Sequence, residues 1–223
     1  MLTGQLSIGW SNDLVDRSRD LAVGRTDKPL AIGAVPVAVV RVACGAAAVA
    51  TVPLSLACGV TAGLVHLGCV GSGWAYNLGA KATPLSWLPY AVAFGGLPVF
   101  VHLGRSADAP PQLWMAAAGA LLGVGAHLVN VVPDLADDAA TGVRGLPHRL
   151  GALTSVRVAV AALVLASVTI AVGADGLSAV VLGVGLVLVA GLAAVAMTAS
   201  GRTPFRVAIA IALVDVVLLV SAR

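Results

Sequence analysis

The sequence predicts an all-α protein built as a polytopic transmembrane helical bundle, and three observations carry that prediction. Hydrophobic residues make up 59% of the 223-residue chain and charged residues only 10%, against about a quarter charged in ordinary globular domains. The apolar residues come in long blocks, giving a mean hydropathy of +1.01, where a spanning helix needs roughly 20 apolar residues. Basic residues, finally, fall mostly in alternate connections between those blocks, which collects them on one side of the membrane. Together these exclude a soluble globular domain, a disordered chain and a disulfide-stapled secreted scaffold.

Taken in order, residues 1–11 are apolar but too short to cross, and read as the last turns of a partial N-terminal helix. Seven full spans follow, near 34–52, 55–73, 86–103, 112–132, 151–172, 176–198 and 204–221. Connections are short and several open with Pro or Gly, at Pro53, Pro84, Pro110, Gly173 and Pro204, so consecutive helices are expected to be antiparallel neighbours. The chain reads as a single domain with halves at roughly 1–103 and 112–223.

Loop charge sets the orientation. One side collects Arg17, Arg19, Arg25, Lys28, Lys81, Arg144, Arg149, Arg202 and Arg206, whereas the other holds Arg105 and Arg223. Positive loops stay inside, so the expectation is a multi-pass protein of the cell membrane with its polar loops on the cytoplasmic side. Net charge of +3 comes with no basic patch interleaved with aromatics, which argues against a nucleic-acid partner. Nothing calls for an obligate protein partner. Cys44, Cys58 and Cys69 have no metal-ligand spacing and read as small buried hydrophobes.

All ten acidic residues are Asp, and seven of them lie in two clusters. The first runs Asn12, Asp16, Asp20, Gly24, Arg25; the second Asn130, Asp134, Asp138, Gly142, Arg144. On a helix, residues four apart share a face, so each cluster is expected to present Asn and two Asp as one stripe. A stripe of like charges needs a counter-ion. Oxygen donors with neither Cys nor His point to Mg²⁺, which takes one or two carboxylates and completes its shell with water and phosphate oxygens. Arg25, Lys28, Lys81, Arg144 and Arg149 would suit a diphosphate. Asp13 and Asp137 lie off the stripes, and Asp27 is a candidate partner for Arg25 or Lys28.

Several other residues stand out. Trp74, Trp87, Tyr90 and Phe94 read as interface anchors or cavity lining. His66 and His127 suit hydrogen bonds between helices, and Asp215, alone in the last span, requires a polar partner. Glycines, 26 in number, suit close helix packing.

The segments NDLVDRSRD with GRTDKPLAIG, YNLGAKATPLSWLP, and NVVPDLADD with GVRGLPHRLG resemble the UbiA superfamily of intramembrane prenyltransferases. The resemblance runs from residue 9 onward and implies a UbiA-like bundle with the first helix missing. It also implies Mg²⁺-dependent transfer of a prenyl group from an isoprenyl diphosphate to an aromatic or lipid-like hydrophobic acceptor within the bilayer. By position, Asp16, Asp20, Asp134 and Asp138 are the implied metal ligands, with Asn12 and Asn130 beside them. Tyr76 and Lys81 match the family's Tyr…Lys motif, although Ala82 follows where a second basic residue often stands. Tyr76 is open between a phosphate contact and the developing allylic cation. An inactive UbiA-like membrane protein and a small-molecule transporter are the alternative functions.

Overall fold

The computed structural model describes residues 1–105, 110–199 and 203–221, so Arg202 and Arg223 lie outside the described residues. Within these, every regular element is helical. Five long helices come first: α1 (Leu2–Ala22), α2 (Val37–Leu56), α3 (Val60–Leu78), α4 (Leu88–Arg105) and α5 (Leu113–Val131). Two short ones follow, α6 (Leu135–Ala140) and α7 (Leu146–Leu150), and then three more long helices, α8 (Ala152–Gly173), α9 (Ala179–Thr198) and α10 (Thr203–Ser221). Single 3₁₀ turns occupy Ala80–Ala82 and Val132–Asp134.

Two differences from the sequence expectation matter for the site. The N-terminal segment is not a stub of 1–11: α1 continues unbroken for 21 residues and carries the whole first acidic stripe. The second stripe, by contrast, does not ride on one helix, because α5 stops at Val131 and resumes as α6 only after the 3₁₀ turn. Pro133 supplies the reason: it has no N–H to donate and its ring crowds the carbonyl four residues back.

Five helical stretches among the described residues are long and apolar enough to cross a membrane: Val37–Leu56, Leu113–Ala140, Ala152–Gly173, Ala179–Thr198 and Thr203–Ser221. Large apolar side chains such as Val42, Val49, Val172 and Val187 are more than 70% exposed, which is costly in water and neutral in hydrocarbon. The fold is thus that of a multi-pass membrane protein. Helices α3 and α4, also expected to span, are diluted by polar residues: His66, Ser72 and Asn77 in one, His102 and Arg105 in the other.

Packing is tightest around α5. Leu122, Leu128, Leu163 and Ile211 form the centre of a core shared by α5, α8 and α10. On the opposite face of α5, Gly119 and Gly123 lie against the Phe94 and Tyr90 carbonyl oxygens of α4, where a Cβ would collide with the backbone. This close approach, of the kind small residues permit in membranes, brings Tyr90 up to α5. Helices α2 and α3 reverse through Gly59 at φ +102, a conformation other residues rarely adopt. That turn leaves Cys58 exposed and not buried as expected; Cys44 is buried and Cys69 partly so. Asp215 finds its polar partner in Ser167 of α8, whose hydroxyl donates to it.

Candidate active site

The loop-side ends of α1, α3 and α5 enclose a polar pocket of about 220 Å³. Its lining includes Asn12, Asp16 and Asp20 from the first motif, Asn130, Asp134, Asp137 and Asp138 from the second, and Arg19, Arg25, Lys28 and Lys81. Both acidic motifs, separated by more than a hundred residues, therefore face one space. Arg144 and Arg149 do not line it. Val143 is buried and turns inward while the neighbouring Arg144 is exposed.

The first motif is firmly held. Asn12 donates from Nδ2 to Asp16 Oδ2 at 2.9 Å and to Asn77 Oδ1 at 3.3 Å. Asn77, buried in α3, donates in turn to Ser11 Oγ at 2.7 Å and to the Ile8 carbonyl at 2.9 Å, tying α3 to α1. Lys81 follows α3 in the 3₁₀ turn and its ammonium donates to Asp16 Oδ1. Arg19 joins the motifs: Nη1 lies 2.8 Å from Asp16 Oδ1 and Nη2 2.6 Å from Asp138 Oδ1.

The loop after α1 adds two further cations. Arg25 forms a two-pronged pair with Asp27 at 2.8 and 2.9 Å, and reaches Asp134 at 3.5 Å. Hydrogen bonding from Arg25 holds the Asp27 carboxyl down at about 2, and the same bond pushes the Arg25 guanidinium up. Partial burial works against the charged form of Lys28, but its 2.7 Å bond to Asp13 and the charge of Asp20 outweigh this, so its pKa is raised. His148 of α7 lies 3.8 Å from Asp138, yet burial dominates and lowers its pKa.

A second cavity, about 480 Å³, adjoins the first and is mainly apolar. Ile8, Val70, Pro89, Phe94 and Leu97 line it, and Asn12, Tyr76 and Tyr90 line both spaces. The two tyrosines meet edge to face at 5.2 Å, and His127 packs against both, at 5.8 and 5.0 Å. Tyr90 is hydrogen-bonded to Asn130. His127 Nε2 pairs with Ser86 Oγ at 2.9 Å, and Ser86 Oγ also accepts the Leu146 backbone N–H at 3.0 Å. That serine thus fixes the loop after Lys81, α5 and α7 in one arrangement.

The donor chemistry fits Mg²⁺. Every candidate ligand in the pocket is a hard oxygen, and both motifs contribute carboxylates. Among the described residues no group of three or more Asp, Glu, His or Cys is placed to hold a metal by itself. Such an ion would take one or two carboxylates here and rely on a phosphorylated ligand for the rest, in keeping with the cations alongside.

Sequence reasoning missed Arg19, Asn77, Ser86 and His148, and gave Tyr90 no more than an anchoring or lining role. A signal existed for Asn77, since an amide in an apolar span requires a partner.

Residues 1–219 match the model of the UbiA prenyltransferase family, and the chain belongs to that family. Among solved structures it is similar to a UbiA homolog from Aeropyrum pernix K1 in its apo form, with a TM-score of 0.78 and 18% identity over 98% of this chain and 85% of that one. It is also similar to a UbiA homolog from Archaeoglobus fulgidus bound to GPP and Mg²⁺, with a TM-score of 0.68 and 16% identity, covering 98% and 87% of the two chains. A structure of a UbiA homolog from Archaeoglobus fulgidus bound to DMAPP and Mg²⁺ gives 0.68 and 17%, with the same coverage. These likenesses concern the fold. No curated protein matches the chain.

Proposed function

We propose that this protein transfers a prenyl group from an isoprenyl diphosphate to an aromatic or lipid-like acceptor, in an Mg²⁺-dependent reaction within the membrane. One observation carries the proposal: the pocket holding both acidic motifs and four cations opens, past Asn12, Tyr76 and Tyr90, onto an apolar cavity. The polar side suits a diphosphate and the apolar side its tail. Family membership supports the same reading, as do the ligands named for the Archaeoglobus fulgidus homolog.

Asp16, Asp20, Asp134 and Asp138 would hold Mg²⁺, with Asn12 orienting Asp16 and Asn130, bonded to Tyr90, in contact with the substrate. When bound, the metal would neutralise the diphosphate and stabilise charge on its departing oxygen. Lys81, Arg25 and Lys28, each paired with a carboxylate at the pocket wall, would exchange part of that pairing for the remaining phosphate oxygens and stabilise the charge that develops there. The allylic C–O bond breaks with its electron pair leaving on the diphosphate. The acceptor supplies the electron pair for the new bond and loses a proton, which the released diphosphate takes up. Tyr76 and Tyr90, which line both spaces, would lie beside the developing positive charge, which aromatic rings favour. The apolar cavity keeps water from intercepting the cation. Arg144, turned outward, has no role in this scheme.

The proposal includes seven full crossings, with α3 and α4 among them, in one domain whose halves meet at the site. The excess of basic residues in the loops around that site supports a cytoplasmic orientation for it.

The test incubates membranes containing the protein with allylic diphosphates of several lengths and candidate acceptors, with and without Mg²⁺. The expected result is a prenylated product that requires Mg²⁺ and falls steeply in Asp16→Ala and, to a smaller degree, in Asp134→Ala. Undiminished product formation in both variants overturns the mechanism.

A further inference from the structure

Arg19 holds one carboxylate of each acidic motif through a single guanidinium, across 119 positions of sequence. Nη1 lies 2.8 Å from Asp16 Oδ1, Nη2 lies 2.6 Å from Asp138 Oδ1, and Nε donates to Thr141 Oγ1 at 3.1 Å. Thr141 is itself anchored on the end of α6, donating to the Asp137 carbonyl at 2.9 Å. The guanidinium is thus gripped on both edges, with its side chain 24% exposed. Asp16 Oδ1 also receives Lys81, so two cations already share that oxygen.

A divalent ion drawn to Asp16 and Asp138 competes with these contacts for the same oxygens. Displacing the arginine without offering it another acceptor leaves a partly buried cation unpaired, which is costly. A diphosphate removes that cost, because its oxygens match the planar fork of a guanidinium as well as a carboxylate does. From this geometry we infer that Arg19 sets the order of loading: it keeps the protein's own affinity for Mg²⁺ low and couples metal binding to diphosphate binding. The inference rests on the proposed placement of Mg²⁺ and diphosphate in this pocket. Arg19 is on this account a positioning residue, since it acts through Asp16 and Asp138. The coupling is reciprocal, so whatever Arg19 takes from metal affinity it returns as mutual reinforcement between the two ligands.

The test uses the full chain in detergent, Mn²⁺ as a paramagnetic probe read by electron paramagnetic resonance, and inorganic diphosphate as an unreactive partner. Wild type, Arg19→Gln, Arg19→Lys and Asp16→Ala are titrated with Mn²⁺, with and without the diphosphate. The expected result is that Arg19→Gln binds Mn²⁺ alone about tenfold more tightly than wild type, a coupling of ordinary size, and that diphosphate adds less to its affinity. Arg19→Lys, which keeps the charge but loses the fork, should fall between them and guards against misfolding of the glutamine variant. Unchanged or weaker Mn²⁺ binding by a folded Arg19→Gln, while wild type still binds Mn²⁺ with diphosphate, overturns the inference and leaves the proposed function standing. Absence of Mn²⁺ binding in wild type even with diphosphate, with Asp16→Ala identical to it, overturns both.

Discussion

The two acidic motifs share the spacing Asn, Asp, Asp at intervals of four, yet the protein builds them differently. The first lies on the uninterrupted α1, where Asp16 is 13% exposed in its side chain and is held by Asn12, Arg19 and Lys81. The second is cut by the 3₁₀ turn at Val132–Asp134, where Asp134 has 48% of its side chain exposed and meets Arg25 at a long 3.5 Å. A 3₁₀ turn advances the chain with fewer residues per turn than an α-helix. It rotates Asp134 and Asp138 away from the register that Asn130 would impose. Asp134 is thus loosely held where Asp16 is fixed, while Asp138 is gripped by Arg19, and equal spacing in the sequence conceals the difference.

Substitutions in either motif test this contrast. Asp16→Ala should do the most damage, because it removes the acceptor that Asn12, Arg19 and Lys81 converge on. Prenyl transfer should fall about 10³-fold, the scale of losing a preorganised electrostatic group, and Asp134→Ala should fall by less. Equal losses in a membrane assay would mean that the two positions are equivalent. Next, Asn77→Ala strands Ser11 and the Ile8 carbonyl behind the first motif and should cost about 2 kcal/mol of stability, read by thermal unfolding in detergent. Pro133→Ala restores the missing backbone donor and should allow α5 to run on into α6. The displaced carboxylates then lower kcat/KM about tenfold, as misplacement of catalytic groups does, with no loss of thermal stability.

Asp27 should matter least. Its carboxyl sits at about 2, below the ordinary value of 3.8, so the pair with Arg25 is fully formed above the ordinary value and is lost only as pH falls through about 2. It contributes no titration near neutral pH. Because Asp27 is fully exposed, Asp27→Asn should shift diphosphate affinity by less than about fivefold, measurable by calorimetry.

Much of this was legible in sequence for identifiable reasons. The first stripe could be read because helical periodicity alone determines which side chains share a face, and α1 obeys it throughout. The break in the second was not read from Pro133, since a four-residue spacing suggests a helix whether or not a proline interrupts it. Arg19 and Arg144 show the further limit. Both are cations beside an acidic motif, but Arg19 rides on α1 and pairs with Asp16 and Asp138, whereas Arg144 is exposed in the loop before α7 and does not line the pocket. Tyr90 and Ser86 owe their places to the seam at Gly119 and Gly123 and to the loop contact with Leu146. Those are tertiary contacts between residues tens of positions apart, and no local pattern encodes them.

The three residues common to both cavities, Asn12, Tyr76 and Tyr90, also mark a division between the paths by which products would leave. On the proposed chemistry, one substrate enters astride that boundary and two products leave on opposite sides of it. Diphosphate is soluble in water and departs past the loops, whereas the prenylated acceptor is soluble only in hydrocarbon and departs into the bilayer. The reverse reaction then requires both to return from different phases at once. On that chemistry the boundary would let each product leave directly into the phase that dissolves it, with no moving gate needed to keep the two apart.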